Sequence, residues 1–202
     1  MLRGFRQEGT VFLGEPPESP ASKAKFEQDM EEDGFVWSLT RLWAWNPEAD
    51  EMFGELLDKV AEDAGLSFRD RGFVVTSAAS TTRNSGCALA WGNRLSLAVG
   101  VETAVAVLGG VDTDEMTPRD RALSGWARTV AGDPSSSTAD DVEQLRAVGL
   151  DDRAIFSLSL YIALRLAFSA VNDALNAPLD RQLVDTFSQD VVTAVDYGRP
   201  SA

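Results

Sequence analysis

The chain has 202 residues, a formal net charge of −14, one cysteine and no histidine. Its length suits one domain, or one domain with appendages. Without histidine, Ser-His-Asp catalysis, Cys-His catalysis and the common zinc sites are excluded, so we expect no metal. A single cysteine excludes an intramolecular disulfide and a two-cysteine redox cycle within one chain. The acidity disfavours nucleic acid and anionic membranes as partners.

We expect neither a membrane span nor a signal peptide. No run of 18 or more apolar residues is evident, and the first ten residues lack a long apolar stretch with a small-residue cleavage site. The expected location is therefore the cytoplasm.

The predicted elements begin with an arm over residues 1–25, where GEPPESPAS carries three prolines and predicts no regular structure. The aromatic residues between positions 35 and 45 are interpreted as core packing, with a ligand cage as the alternative. PEADEMFGELLDKVAEDAG is typical of a helix, because Pro47 precedes an acidic first turn and Gly65 ends it. SFRDRGFVVTSAASTT is predicted to be a helix that starts at Ser67, although FVVT leaves a strand as the alternative.

Further helices are predicted after Asn84 or Ser85, over VETAVAVLGG, and after caps at Thr117, Thr138 and Asp151. No hairpin and no repeat of 20–50 residues is evident. The sequence therefore predicts an all-α fold of about eight helices. We expect the helical domain to span residues 26–180, followed by a C-terminal extension over residues 181–202.

The last long helix is apolar almost all round its middle, which is typical of a central or interface helix. Four polar residues nevertheless recur on one face of it, namely Tyr161, Arg165, Ser169 and Asn172. This stripe either lines a pocket or faces solvent or a partner subunit.

Cys87 is the candidate reactive residue. It lies within about one turn of a helix start, whose exposed amide dipoles stabilise a thiolate. The alternative is a small buried apolar side chain. No dinucleotide fingerprint, calcium loop or nucleophile elbow accompanies it, and we expect no cofactor.

Five stretches of residues 26–180 resemble the carboxymuconolactone decarboxylase superfamily, and more closely its alkylhydroperoxidase-D-like, peroxidase-related branch. In order, they are GLSFRDRGFVVTSAAST, SGCALAWGNRLSLAVG, MTPRDRALSGWARTVAGDP, DVEQLRAVGLDDRAIF and LRLAFSAVNDALNAPLD. The resemblance implies an all-α helical bundle that forms homo-oligomers. It also implies an antioxidant oxidoreductase by ancestry, in which a thiol reduces a small-molecule peroxide.

Redox members of that family use the motif E-x11-C-x2-C-x3-H, in which the second cysteine attacks peroxide and the first resolves it. The resemblance places Cys87 at the attacking position and Asn84 at the resolving position. Trp91 stands at the histidine position and Gly72 at the glutamate position. These replacements supply neither a disulfide partner nor a proton relay, so the resemblance implies impaired two-cysteine turnover. We also expect Trp91 to pack toward the space beside Gly72.

Three functions follow. The first is a thiol peroxidase that keeps Cys87, uses an external thiol, and relays protons through Tyr161, Arg165 or a carboxylate. The second is a non-catalytic oligomeric protein with a binding or structural role, which predicts an apolar pocket around Trp91 and an unreactive Cys87. The candidate pocket-lining residues are Tyr161, Arg165 and Asn172. The third is a cysteine-independent enzyme similar to the family's lactone decarboxylases.

Overall fold

The protein is all-α, as the sequence predicts. The computed structural model describes residues 11–198, which form eleven α-helices and one short 3₁₀ turn with no strand in that range. In chain order the helices are α1 (Pro20–Glu32), α2 (Ser38–Trp43), α3 (Pro47–Asp63), α4 (Phe68–Thr81), α5 (Ser85–Val99), α6 (Val101–Leu108), α7 (Pro118–Gly132), α8 (Ala139–Ala147), α9 (Asp152–Ala174), α10 (Arg181–Val184) and α11 (Gln189–Ala194). Eight of these helices have seven or more residues, in agreement with the predicted number.

Polar side chains start the helices at the residues that the sequence indicates. The side chains of Ser67, Thr117 and Thr138 each accept a hydrogen bond from the third backbone amide of the helix that follows. The carboxylate of the aspartate at that third position accepts a hydrogen bond from the backbone amide of the cap residue. Asp151 caps α9, and Asn84 caps α5. The helical interpretation of the segment after Ser67 is confirmed, and its strand alternative is wrong.

The first helix begins inside the segment predicted to be an irregular arm. Ser19 caps α1, and Pro20 occupies the first helical position. A backbone amide at that position has no hydrogen-bond partner within the helix, so proline, which lacks the amide hydrogen, is tolerated there. Prolines count against a helix only when they lie inside it, so their number in GEPPESPAS is a poor guide. Residues 1–10 of the predicted arm lie outside the described residues.

Helix α4 is the centre of the bundle and packs against α5, α6, α7 and α9. Phe73 and Val74 have no exposed surface, and almost every residue of the helix after its first turn is buried. Gly72 belongs to this packing, because a Cβ atom there would lie 3.2 Å from Cδ1 of Leu95 on α5. The glycine therefore permits the close contact of α4 with α5.

The starts of α4 and α7 form a short repeat, SFRDR from residue 67 and TPRDR from residue 117, which was not evident as a repeat from the sequence. In each segment the aspartate takes part in the N-terminal cap of its own helix, and the arginine before it forms an ion pair with the aspartate of the other helix. Arg69 donates to Asp120 over 2.7 and 3.3 Å, and Arg119 donates to Asp70 over 3.3 and 3.4 Å. The two helix starts are thus joined by reciprocal ion pairs.

Helix α9 is long and apolar enough to cross a membrane by length and composition alone, although its sequence holds no unbroken run of 18 apolar residues. A core helix meets the same criteria. In this fold α9 packs against α3, α4 and α7, with Leu158, Tyr161 and Ile162 buried in those contacts. Phe156 on another face is 68% exposed.

The last described helix closes the bundle beside the start of α5. Helix α11 packs against α5 and α6, and its Val191 has no exposed surface. A Cβ at Gly92 of α5 would lie 3.0 Å from Leu108 and 3.4 Å from Val191, so this glycine also sets a close helix contact. Tyr197 beyond α11 packs in the cluster of apolar side chains that contains Cys87.

Candidate functional site

The candidate site is built around the first turn of α5. The Asn84 side chain accepts a hydrogen bond from the backbone amide of Cys87 over 2.7 Å. Its amide nitrogen donates to a carboxylate oxygen of Asp173 on α9, also over 2.7 Å. Asn84 therefore both caps α5 and links this helix start to the end of α9.

Two α9 side chains surround the Cys87 sulfur. The Ser169 hydroxyl lies 3.1 Å from Sγ and shares a hydrogen bond with it, and Nη2 of Arg165 donates to Sγ over 3.8 Å. Cys87 is 9% exposed, and it lines a cavity of about 470 Å³ between α5 and α9. Cys87 thus lines a cavity and at the same time belongs to the buried apolar cluster of Leu108 and Val191.

Arg165 is held between two aromatic rings. Its guanidinium carbon lies 5.4 Å from the centre of the Trp91 ring and 5.1 Å from that of Phe168. No carboxylate lies within ion-pair distance of Arg165 among the described residues, and its buried Nε has no hydrogen-bond partner there. The guanidinium is therefore fixed in position but not neutralised.

A second arginine contacts the same tryptophan. Arg94 lies with its guanidinium carbon 5.1 Å from the Trp91 ring centre, and it also has no ion-pair partner in the described part of the chain. The residue is exposed at the cavity mouth, yet partial burial of its charged group lowers the pKa of Arg94. The charge of Arg165 lowers it further, while Cys87 acts in the opposite direction. Two like charges therefore meet at this cavity.

The remaining wall is mainly apolar and aromatic. Phe68 from the start of α4 is 60% exposed and lies 6.1 Å from the Trp91 ring, centre to centre. Trp43 stacks on Phe168 at 5.3 Å with an interplanar angle of 12°. The Trp43 indole also donates to Asn172 over 3.0 Å, which orients that side chain at the cavity wall. This cavity is larger and more apolar than a bare peroxide requires.

No protein-family model and no curated protein matches the sequence. Solved structures do match. The alkylhydroperoxidase AhpD core of an uncharacterized peroxidase-related protein from Ralstonia eutropha JMP134 has a TM-score of 0.72 at 18% identity, covering 88% of this chain and 96% of that one. An uncharacterized peroxidase-related protein from Silicibacter sp. TM1040 has a TM-score of 0.71 at 18% identity, covering 90% and 97%.

The chain has the AhpD-like fold. The debrominase Bmp8 shares this fold, with a TM-score of 0.67 at 14% identity over 90% of this chain and 97% of that one. Bmp8 is also known as a cysteine-to-alanine variant in complex with 2,3,4-tribromopyrrole. The predicted fold class and the predicted resemblance are thus confirmed at the level of the fold.

The AhpD-like arrangement brings together most of the residues that the sequence singles out. Five of them line the cavity, namely Asn84, Cys87, Trp91, Arg165 and Asn172. Tyr161 is different, because it is 3% exposed and packs in the core that α4, α7 and α9 share. Burial raises the pKa of its phenol, while the nearby Arg165 charge opposes this. The interpretation of Tyr161 as a pocket-lining residue is therefore corrected.

The expectation for Trp91 and Gly72 is also corrected. The side chain nearest to Gly72 is Leu95, one turn beyond Trp91 on α5. Trp91 instead contacts Phe68 and the two arginines at the cavity. Gly72 does not line the cavity, so the position that the AhpD resemblance assigns to glutamate here serves helix packing.

Four further residues line the cavity that the sequence does not predict as site residues, namely Arg94, Phe68, Phe168 and Asp173. Ser169 is predicted only as a member of the polar stripe. A signal for Arg94 was present, because residues 87, 91 and 94 share one face of a helix. No comparable signal marks Phe68, which reaches the cavity from another helix. No group of three or more potential metal ligands occurs among the described residues.

Proposed function

We propose that the protein is a cysteine-dependent oxidoreductase in which Cys87 attacks an electrophilic organic molecule and an external thiol restores it. The observation that carries this proposal is that Cys87 lines a cavity and has Ser169 and Arg165 within 3.8 Å of its sulfur. A cysteine that served only as a small core residue would need neither partner. The AhpD-like fold supports the proposal by analogy.

Charged and polar groups surround the Cys87 sulfur. A thiolate is the nucleophile, and it is stabilised by a cation and by the amide dipoles of a helix start. Arg165 supplies the cation, Ser169 supplies a hydroxyl donor, and the first turn of α5 supplies the dipoles. With an organic hydroperoxide, the thiolate takes the terminal oxygen, the O–O bond breaks, and the products are a sulfenate and, after protonation, an alcohol.

The chain holds a single cysteine, so the second half of the cycle requires other molecules. One external thiol condenses with the sulfenic acid and releases water, forming a mixed disulfide. A second thiol attacks that disulfide and returns Cys87 to the thiol. Because Trp91 and Gly72 supply no proton relay, we expect slower turnover than in a two-cysteine peroxidase.

A second candidate is the reductive removal of a halogen from an aromatic compound. The aromatic wall formed by Phe68, Trp91 and Phe168 favours a flat apolar ligand. The debrominase Bmp8 has this fold, and its cysteine-to-alanine variant holds a brominated pyrrole. Both candidates use Cys87 as the nucleophile and consume external thiol, so the substrate distinguishes them.

We further propose that the protein forms a homo-oligomer in the cytoplasm. An apolar stripe of α9 recurs every three or four residues, through Phe156, Leu160, Ala163, Ala167 and Ala170. Four of these residues are exposed, and such a stripe suits packing against another helix. A reducing compartment keeps a lone cysteine in the thiol form. Light scattering in solution measures the oligomeric state.

The test measures consumption of cumene hydroperoxide and of 2,3,4-tribromopyrrole with a small thiol as reductant. Cys87→Ser is expected to reduce the active reaction to the background rate. Leu97→Ala is the matched control, because Leu97 lies on the same helix, is 83% exposed and does not line the cavity.

Mass spectrometry after treatment with cumene hydroperoxide adds a second readout, since the sulfenic acid formed on Cys87 can be trapped by dimedone. Equal rates for the wild type and Cys87→Ser, with no trapped adduct, would overturn the proposal. That result would favour a non-catalytic ligand-binding protein.

A further inference from the structure

Arg94 and Arg165 at this site have no ion-pair partner among residues 11–198 of a strongly acidic protein. Arg94, Arg165 and Asp173 are the charged side chains that line the cavity, so its wall carries an excess of one positive charge while the chain carries −14. Asp173 accepts a hydrogen bond from Asn84 and forms no ion pair with either arginine. The positive charge is therefore concentrated on the side of the cavity near Trp91.

The arrangement of Arg165 is unfavourable unless something else neutralises it. Its Nε is buried and lacks an acceptor among the described residues, and an unmatched buried donor destabilises a folded protein. The rings of Trp91 and Phe168 hold the guanidinium from two sides but offer no hydrogen-bond acceptor to its edge. A planar guanidinium held in this way is suited to bind a planar oxyanion.

Arg94 adds a second cation on the same tryptophan. Both guanidinium carbons lie within 5.4 Å of the Trp91 ring centre, and the charge of Arg165 contributes to the lowered pKa of Arg94. Repulsion between these groups is relieved when an anion binds near both. The cavity of about 470 Å³ leaves room for an organic body beside that anion.

We propose that the cavity binds an organic carboxylate, with Arg165 and Arg94 as its counter-ions and the aromatic wall around its apolar body. This inference rests on the proposed function and names its substrate class. Since Nη2 of Arg165 also contacts the Cys87 sulfur, a carboxylate bound there places its electrophilic centre beside the nucleophile. Arg165 then acts both on the thiolate and on the substrate.

The test compares the rates at which iodoacetate and iodoacetamide alkylate Cys87. The two reagents have the same reacting group, but iodoacetate carries a carboxylate where iodoacetamide carries a neutral amide. Both reagents consume the same thiolate, so the ratio of the iodoacetate rate to the iodoacetamide rate is independent of how much thiolate is present. Glutathione gives the ratio for a free thiol. The ratio for the wild-type protein is expected to exceed the glutathione ratio by about tenfold or more, because a cationic cleft concentrates anions.

The variants separate substrate binding from thiolate stabilisation. Arg165→Met is expected to return the ratio to the glutathione value, and Arg165→Lys to retain part of the preference. Arg153→Met is the matched control, because Arg153 lies on the same helix and pairs with Asp63 at the surface. Its ratio is expected to equal that of the wild type. A wild-type ratio no greater than that of glutathione would overturn the inference.

Binding gives an answer even when the thiol reacts with neither reagent. Calorimetric titration of the wild type with benzoate is expected to show binding that weakens at high salt and is lost in Arg165→Met. Benzamide, the neutral analogue, is expected to bind at least tenfold more weakly. Equal binding of benzoate and benzamide would refute the carboxylate site. If the wild type binds benzoate as expected but turns over neither the peroxide nor the brominated pyrrole, only the proposed function is refuted.

Discussion

Two pairs of arginines in this bundle have opposite surroundings. Arg69 and Arg119 lie at the starts of α4 and α7, where each meets a buried aspartate of the other helix. Arg94 and Arg165 lie beside Cys87, where neither meets a carboxylate in the described part of the chain. The first pair holds two helices together. The second leaves its charge available to a ligand.

The difference shows how the same residue type serves stability in one place and recognition in another. A buried aspartate requires a cation and hydrogen bonds, and Asp120 receives both from Arg69 and from the start of its own helix. A cation held by aromatic rings alone contributes less to folding, because its charge is only partly compensated. Substitutions in the two pairs should therefore have different effects on stability.

The largest effect is expected for Asp120→Ala. Asp120 is 2% exposed, and the substitution removes the reciprocal cap of α7 and leaves Arg69 without its partner. We expect the free energy of unfolding to fall by about 4 kcal/mol. Urea denaturation measures this value. Asp112→Ala, which removes a partly exposed pair with Arg128, is the control and should cost about 0.5 kcal/mol. Equal losses for the two variants would contradict the structural role of the first arginine pair.

A smaller, pH-dependent effect is expected for Asp120→Asn. Burial opposes ionisation of Asp120, but hydrogen bonds from Arg69 and Thr117 hold its pKa below the ordinary value of 3.8. A carboxyl group with a lowered pKa stabilises the folded state above pH 3.8 and loses that contribution as the pH falls through the folded pKa. The free energy of unfolding of the wild type should exceed that of Asp120→Asn by about 2 kcal/mol at pH 7.

Denaturation at a series of pH values below 4 checks the sign of this effect. The difference between wild type and Asp120→Asn is expected to narrow as the pH falls, because protonation makes the wild-type side chain neutral as well. A difference that stays constant or grows in acid would show that the charge of Asp120 does not contribute.

The smallest effect on stability is expected for Arg165→Met. The substitution removes an unmatched buried donor and an uncompensated cation, and it also removes two contacts with aromatic rings. These changes oppose each other, so the free energy of unfolding should change by less than about 1 kcal/mol. Arg69→Met is the comparison and should cost about 3 kcal/mol, because it leaves Asp120 buried without its cation. If Arg165→Met lowers the free energy of unfolding as much as Arg69→Met does, Arg165 contributes to stability and is not reserved for binding a ligand.

Much of the fold could be predicted from the sequence because helix starts depend on residues that are close together along the chain. Ser67, Thr117, Thr138 and Asp151 all cap helices as predicted. The same local chemistry explains the error at Pro20, where a proline at the first helical position was interpreted as a sign of irregular structure.

The candidate site could be predicted only in part. Cys87 and the stripe of Arg165, Ser169 and Asn172 follow from helical spacing on single helices. The same spacing wrongly included Tyr161, because periodicity assigns a residue to a face but does not say what that face contacts. Gly72 was assigned to the site by resemblance, whereas its surroundings are set by Leu95 of the neighbouring helix.

Residues that are neighbours along the chain are enough to predict that the protein is helical, where most helices begin, and that Cys87 lies in the first turn of one of them. The contacts of Arg165 and Ser169 with this cysteine depend on how the helices pack, since these residues lie 78 and 82 positions away along the chain. Capping is a matter of three or four neighbouring residues and is therefore present in the local sequence. The charge at a cavity depends on which helix faces pack together, and that is decided by burial throughout the bundle.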